Sequence, residues 1–336
     1  METVAAVHHV LEPTKTLLVA RERSTDACVR GRRSDRLRGL MRERGTPLRA
    51  RLAAALVHAT PDWSALVASR LMGAAARMRL PAPVGRAAVG AYARYFDVNL
   101  RDVDPLALED GFASFDEFFT RPLRRGARSI DRSATTIVSP CDGELRDVSP
   151  VTGGTEVVAK GHAFAVGELV ADEALAREFI GGTALTIYLH PRDYHRVHAP
   201  CDALAHRVVH VPGRLLPVTE ASALREPRLF ALNERMIHVL ETGHGPVAVV
   251  MVAAFGVGHM TCSYQRFAPH PRELQVRDCD PPARLSKGDE LGVFHLGSTV
   301  ILLVSPGLRS VEPELPVPVL LGQPLLEEQG SGGRRS

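Results

Sequence analysis

Leu296-Gly297-Ser298-Thr299 stands between the apolar run Leu291-Gly292-Val293-Phe294 and the strand-like Val300-Ile301-Leu302-Leu303-Val304. Two such segments joined by so short a turn imply strands that hold it from both sides. Glycine has no Cβ, so its carbonyl can be kept in a strained turn and approached by the neighbouring hydroxyl. The tetrapeptide therefore reads either as a hydrogen-bonding turn at a strand edge or as a place where the chain cuts itself, Ser298 attacking the carbonyl of Gly297.

At 336 residues and 45% hydrophobic content the chain buries a substantial core, as one large or two modest domains. No apolar stretch reaches the roughly eighteen residues that span a bilayer, and the start lacks the basic-then-apolar order of a cleaved signal peptide. Five cysteines (Cys28, Cys141, Cys201, Cys262, Cys279) lack paired metal-ligand spacing. They predict reduced thiols in a cytoplasmic setting, with neither a disulfide framework nor a metal. The net charge of +3 conceals a basic N-terminal region from Arg21 to Arg51. Residues 1–45 read as a solvated, flexible arm or as one drawn to an anionic surface; few aromatics are interleaved for base stacking, which argues against nucleic acid.

Residues 46–104 read as helices. Leu48, Leu52, Ala55 and Leu56 form one stripe, Thr60-Pro61-Asp62 supplies a start signal, and Trp63, Leu66, Val67, Leu71, Ala74 and Met78 continue at helical spacing among Arg70, Arg77 and Arg79. That stripe suits either core packing or a membrane headgroup boundary. Val84 to Phe96 predicts a further helix with Val84, Ala88, Tyr92 and Tyr95 on one side. From about residue 105 the texture becomes short apolar runs between Pro, Gly and Asp, such as Thr136–Val138, Leu185–Leu189, Val247–Val252 and Val300–Val304. The fold class is α+β, a β-rich domain over 105–329 preceded by amphipathic helices and followed by a flexible tail at 330–336.

A self-cleaving serine needs a base for its proton and a carboxylate to orient that base. His198, in Pro191-Arg192-Asp193-Tyr194-His195-Arg196-Val197-His198, and Asp142, in Ser139-Pro140-Cys141-Asp142-Gly143, both follow apolar strands and open into turns. Taken singly they also suit a structural histidine and a turn aspartate. If Ser298 attacks, the amide becomes an ester, and β-elimination releases the upstream chain and leaves dehydroalanine. Its hydrolysis yields ammonia and a pyruvoyl group, a built-in ketone.

These segments resemble the phosphatidylserine decarboxylase family. The likeness runs in order over roughly 84–324 through Phe118-Phe119-Thr120-Arg121-Pro122-Leu123, Ala127-Arg128-Ser129-Ile130-Asp131, Ser139–Gly143, Lys160-Gly161-His162 and Pro191–His198. It continues through Val211-Pro212-Gly213, Leu229–Arg235, Lys287-Gly288-Asp289-Glu290-Leu291-Gly292 and Leu296–Thr299. The resemblance implies a self-processing triad of Asp142, His198 and Ser298, cleavage between Gly297 and Ser298, and a pyruvoyl cofactor at position 298. It implies that His195 acts in the decarboxylation, in which phosphatidylserine forms a Schiff base with the ketone and leaves as phosphatidylethanolamine and CO2. Chains 1–297 and 298–336 would stay associated, in a homodimer held peripherally on the cytoplasmic face of the cell membrane and facing phosphatidylserine in an anionic bilayer. Decarboxylation of a free amino acid, or a noncatalytic membrane-binding relative, are the alternative readings.

Two departures from the family pattern stand out: the arginine-rich first 45 residues, which have no counterpart in it, and the segment 252–260. Val252-Ala253-Ala254-Phe255-Gly256-Val257-Gly258-His259-Met260 carries Phe255 and His259, which either reshape a substrate pocket or repack a strand end. Cys141 and Cys201 flank the expected site, as oxidation-sensitive thiols or as small buried side chains.

Overall fold

A computed structural model of the chain describes residues 62–154, 156–159, 162–256, 258–311 and 314–328. The chain divides into Met1–Arg51 and Leu52–Ser336, and every described residue lies in the second unit. The basic arm, the 48–56 stripe, Thr60-Pro61, Lys160-Gly161 and the 330–336 tail fall outside the described residues.

Helices α1 (Asp62–Arg77) and α2 (Ala82–Phe96) form where the apolar spacing predicts them. A proline in the first turn of α2 needs no N–H there, and Asp97 closes the helix in the left-handed conformation. Helical structure continues past residue 104. The carboxylate of Asp104 caps α3 (Pro105–Asp110), and the hydroxyl of Ser114 caps α4 (Phe115–Phe119). Much of the stripe on α1 faces outward: Val67, Leu71 and Met78 are exposed, Leu66 packs half-buried against the core, and the fully buried positions are the small Ser69, Gly73 and Ala76. The reason is steric. The backbones of Gly73 and Gly258 meet so closely that a Cβ on Gly73 would lie 2.5 Å from the Gly258 Cα. Val84 and Tyr95 of α2 are exposed as well.

The strands β1 (Thr136–Val138), β2 (Gly143–Pro150), β3 (Glu156–Ala159), β4 (His162–Ala165) and β5 (Thr183–Leu189) precede the histidine segment, with α5 (Val166–Val170) and α6 (Glu173–Arg177) between β4 and β5. Next come β6 (Arg196–His198), β7 (Ala203–Val211), α7 (Glu220–Arg225), α8 (Leu229–Leu232), β8 (Arg235–Thr242), β9 (Gly245–Ala253) and β10 (His259–Cys262). The last strands are β11 (Gln275–Leu285), β12 (Glu290–His295), β13 (Ser298–Val304), β14 (Leu308–Ser310), β15 (Val317–Val319) and β16 (Pro324–Glu328).

An eight-stranded sheet of order β11-β7-β8-β9-β13-β5-β2-β15 forms the body, and its neighbours pair antiparallel. Side chains alternate between its faces. On β13, Val300, Leu302 and Val304 join one core cluster and Ile301 and Leu303 the other. Both faces are covered, which is why this strand reads as an unbroken apolar run. The small sheet β10-β12-β6 supplies Met260, Leu291, Phe294 and Val197 to the first cluster, so it covers the even-numbered face of β13. The fold is α+β and β-rich, with helices ahead of the sheets, as the sequence predicts.

Candidate active site

Ser298 is the first residue of β13, opposite Leu189 of β5 on one side and Ala253 of β9 on the other. It is 1% exposed and shares the face of Val300 and Leu302. Its hydroxyl lies 3.4 Å from Nδ1 of His195. The other ring nitrogen, Nε2, lies 3.1 Å from the carbonyl oxygen of His190. A carbonyl only accepts, so Nε2 carries the proton and Nδ1 faces the serine bare. Burial, assisted by the Arg121 charge, pushes His195 down to about 3 and holds the imidazole neutral.

The loop carrying His195 is fastened from several elements. The Arg121 guanidinium donates to the carbonyls of Arg192 (2.8 Å) and Asp193 (3.0 Å). The Tyr92 hydroxyl of α2 donates to the Pro191 carbonyl at 3.0 Å. Phe119, the last residue of α4, stacks on the His195 ring with centroids 4.1 Å apart.

His198, at the end of β6, faces other partners. Its Nδ1 donates to the Gly288 carbonyl at 2.8 Å, which leaves Nε2 to accept from the Tyr194 hydroxyl at 3.2 Å. Burial lowers its pKa. The Asp142 carboxylate accepts from Arg128 Nε (2.9 Å) and Nη2 (2.5 Å) and from the Leu321 N–H (2.9 Å). Among the described residues, Asp142, His198 and Ser298 are not joined in one hydrogen-bonded chain. The Gly288 carbonyl fixes the His198 tautomer, and the Asp142 charge acts on that ring from farther away.

The strain expected of the turn sits one residue before the glycine. Leu296 has φ 87°, left-handed and unfavourable for a branched side chain. Gly297 has no such φ, and a Cβ there would meet only the Phe255 carbonyl oxygen at 3.8 Å. Beside the Gly297–Ser298 bond opens an apolar cavity of about 570 Å³, lined by Met72 of α1, Tyr92 of α2, Phe119, Phe255, Leu296 and Gly297 among others.

Phe255 thus borders the cavity, whereas His259 is turned elsewhere. Its ring stacks on His295 at 3.7 Å, and its Nδ1 lies 3.1 Å from Arg77 Nη1. Cys141 and Cys201 are buried, and burial pushes both thiols up, Cys201 to about 11, so they are poor nucleophiles. Arg121, Arg128, Tyr194 and Gly288 lie inside the sequence blocks quoted above without a role read for them there. Their contacts join segments distant along the chain, and only the folded arrangement displays them.

The sequence profile of the phosphatidylserine decarboxylase family matches residues 115–326. The phosphatidylserine decarboxylase proenzyme of Anaeromyxobacter sp. (strain K) is 43% identical over 263 residues, covering 76% of this chain and 92% of the relative. The proenzymes of Bordetella petrii and Stutzerimonas stutzeri (strain A1501) are each 40% identical, over 266 and 268 residues, covering 76% of this chain and 91% and 89% of theirs. The matched span holds α4, both histidines, Asp142 and the whole Leu296–Ser298 turn, so the chain belongs to the phosphatidylserine decarboxylase family.

Proposed function

We propose that this protein is a proenzyme that cuts itself between Gly297 and Ser298 and then decarboxylates phosphatidylserine to phosphatidylethanolamine. One observation carries the reading: a buried serine hydroxyl faces an unprotonated imidazole nitrogen, two residues after a left-handed leucine and beside an apolar cavity. The cavity suits a lipid better than a free amino acid.

In the cleavage, Ser298 Oγ bonds to the Gly297 carbonyl carbon, the C–N bond breaks, and the Ser298 nitrogen takes the proton, giving an ester. Loss of the Ser298 Cα proton then expels Gly297 as a carboxylate and leaves dehydroalanine, whose hydrolysis consumes water and releases ammonia. The pyruvoyl group formed would take up the substrate amine and draw electrons from the bond to the departing carboxylate. Position 298 fits it. The site is buried, it is flanked by a neutral imidazole, and it is met by the cavity. His195 is assigned the proton transfer to the carbon that CO2 leaves, with Nδ1 toward the reacting atoms and the His190 carbonyl holding the opposite edge of the ring.

His198 and Asp142 are assigned to the cleavage, on their match to the family pattern and on a tautomer that leaves Nε2 free to accept. In this role the Tyr194 hydroxyl yields its place on Nε2 to Ser298. Intact masses and CO2 release separate the roles. His195→Ala is expected to yield chains 1–297 and 298–336 and no CO2, and His198→Ala to stay uncut. The opposite pattern would make His195 the cleavage base. Ser298→Ala is expected to be uncut and inactive; a fully active Ser298→Ala protein would sink the reading.

No helix among the described residues is long and apolar enough to cross a membrane. The outward Val67, Leu71 and Met78 of α1 and Val84 and Tyr95 of α2 support peripheral attachment.

A further inference from the structure

Behind the turn that precedes β10 lies a buried cluster that the chemistry above does not use. The Glu234 carboxylate, 1% exposed as a residue, accepts from His210 Nε2 at 3.0 Å and from His270 Nδ1 at 2.7 Å. The Nε2 of His270 donates in turn to the Gly258 carbonyl at 2.6 Å. Both ring nitrogens of His270 therefore face atoms that only accept, which ties the ring to Glu234 at one edge and to Gly258 at the other. Burial alone would raise Glu234, but the hydrogen bonds from the two histidines outweigh it and hold its carboxyl below the ordinary range.

The cluster is anchored to the main sheet and reaches the scissile turn. The Glu234 backbone is bonded on both sides, its N–H to the Arg214 carbonyl and its carbonyl to the Ala253 N–H, each at 2.8 Å. Gly258, gripped by His270 through its carbonyl, donates its N–H to the His295 carbonyl at 2.6 Å. His295 is the residue before Leu296. The strained Leu296 thus sits between two fixed points, Ser298 locked in β13 and His295 tied to Gly258. A left-handed non-glycine residue persists only where its surroundings impose it. His295 is also held by its own ring, 2.9 Å from both Asp116 carboxylate oxygens, so this fixed point rests on side chains, those of Asp116, Glu234 and His270, that can be removed without touching the reacting atoms.

We infer that Glu234 and His270 are positioning residues for self-cleavage, acting through Gly258 and His295 to hold the strained turn so that the Gly297 carbonyl meets the Ser298 hydroxyl. The inference rests on the proposed cleavage at Ser298, and the test keeps the two apart. The variants are His270→Asn, whose short side chain tolerates the left-handed backbone found at His270 (φ 47°) but does not reach Gly258, and Glu234→Gln, which keeps size and removes the charge. Each is followed by intact mass for the appearance of chains 1–297 and 298–336. The thermal stability of each is measured separately in a Ser298→Ala background, where no cutting confuses it.

The expected result is folded protein that cuts at least tenfold more slowly than the natural chain. The uncut form should release no fragments when hydroxylamine, which cleaves esters, is added. Cutting at the natural rate in either folded variant would overturn the inference. So would fragments released by hydroxylamine, because the ester would then have formed and the turn would have done its work. If His270→Asn does not fold, Glu234→Gln carries the same test. A natural chain that stays whole would instead overturn the underlying cleavage reading.

Discussion

Leu296 and Gly297 divide between them what a single residue was expected to do. The left-handed strain, on the order of 1–3 kcal/mol, is carried by the leucine, while the glycine has room for a methyl group in the folded precursor. Gly297→Ala should therefore fold with little change in Tm and yet cut about tenfold more slowly or worse, about 1.4 kcal/mol of barrier, because the added methyl crowds the carbonyl that Ser298 must approach. Intact mass against time and a melting curve check the two halves of that expectation. The sequence brings Ser298, His195, His198 and Asp142 forward as candidates, and the fold sets His195 against Ser298. Which histidine touches the serine was not legible in the sequence. Nδ1 of His195 reaches the hydroxyl because Arg121, Tyr92 and Phe119, contributed by segments far from it in the chain, fix its loop, and nothing local to Pro191–His198 encodes those contacts.

The helices and strands tell a similar story at the next scale. β13 and β9 were plain in the sequence as apolar runs, since burial on both faces leaves no polar alternation to confuse them. The outward direction of α1 was not, because a stripe of Leu66, Val67, Leu71 and Met78 has the same period whether it meets a core or a bilayer. The deciding contact is between two glycine backbones, Gly73 and Gly258, supported by the Gly256 N–H donated to the Ser69 hydroxyl at 3.0 Å. The small residues face in with Leu66 beside them, and Val67, Leu71 and Met78 are left outside. Leu71 is 65% exposed. Placing a leucine in an apolar environment is worth about 1.5–3 kcal/mol, so Leu71→Glu should weaken binding to anionic vesicles about tenfold or more with its fold unchanged. Vesicle co-sedimentation measures this, and undiminished binding would take α1 out of the membrane contact.

Across the molecule, several buried histidines are held neutral, chiefly by burial: His195 and His238 are pushed down to about 3 and His259 to about 4. Unfolded, each takes up a proton as pH falls through its ordinary 6.5. The unfolded chain then binds more protons than the folded one, so stability is complete above that value and declines as pH drops toward 3 to 4. Melting curves of the Ser298→Ala protein should show Tm level above neutrality and falling below about pH 6; a Tm that rises on acidification would contradict this. The position of Ser298 at the head of a central strand has a kinetic consequence too. Every residue of β13 is paired to β5 on one side and β9 on the other, so a cut before it leaves the released segment laced into the middle of the sheet. The cut protein then comes apart only when the whole sheet does, and from that moment its reassembly is a meeting of two molecules. If the chain is cut there, refolding of the uncut protein should follow first-order kinetics at a rate independent of dilution, whereas refolding of the cut form should slow as it is diluted, because its two chains must first meet.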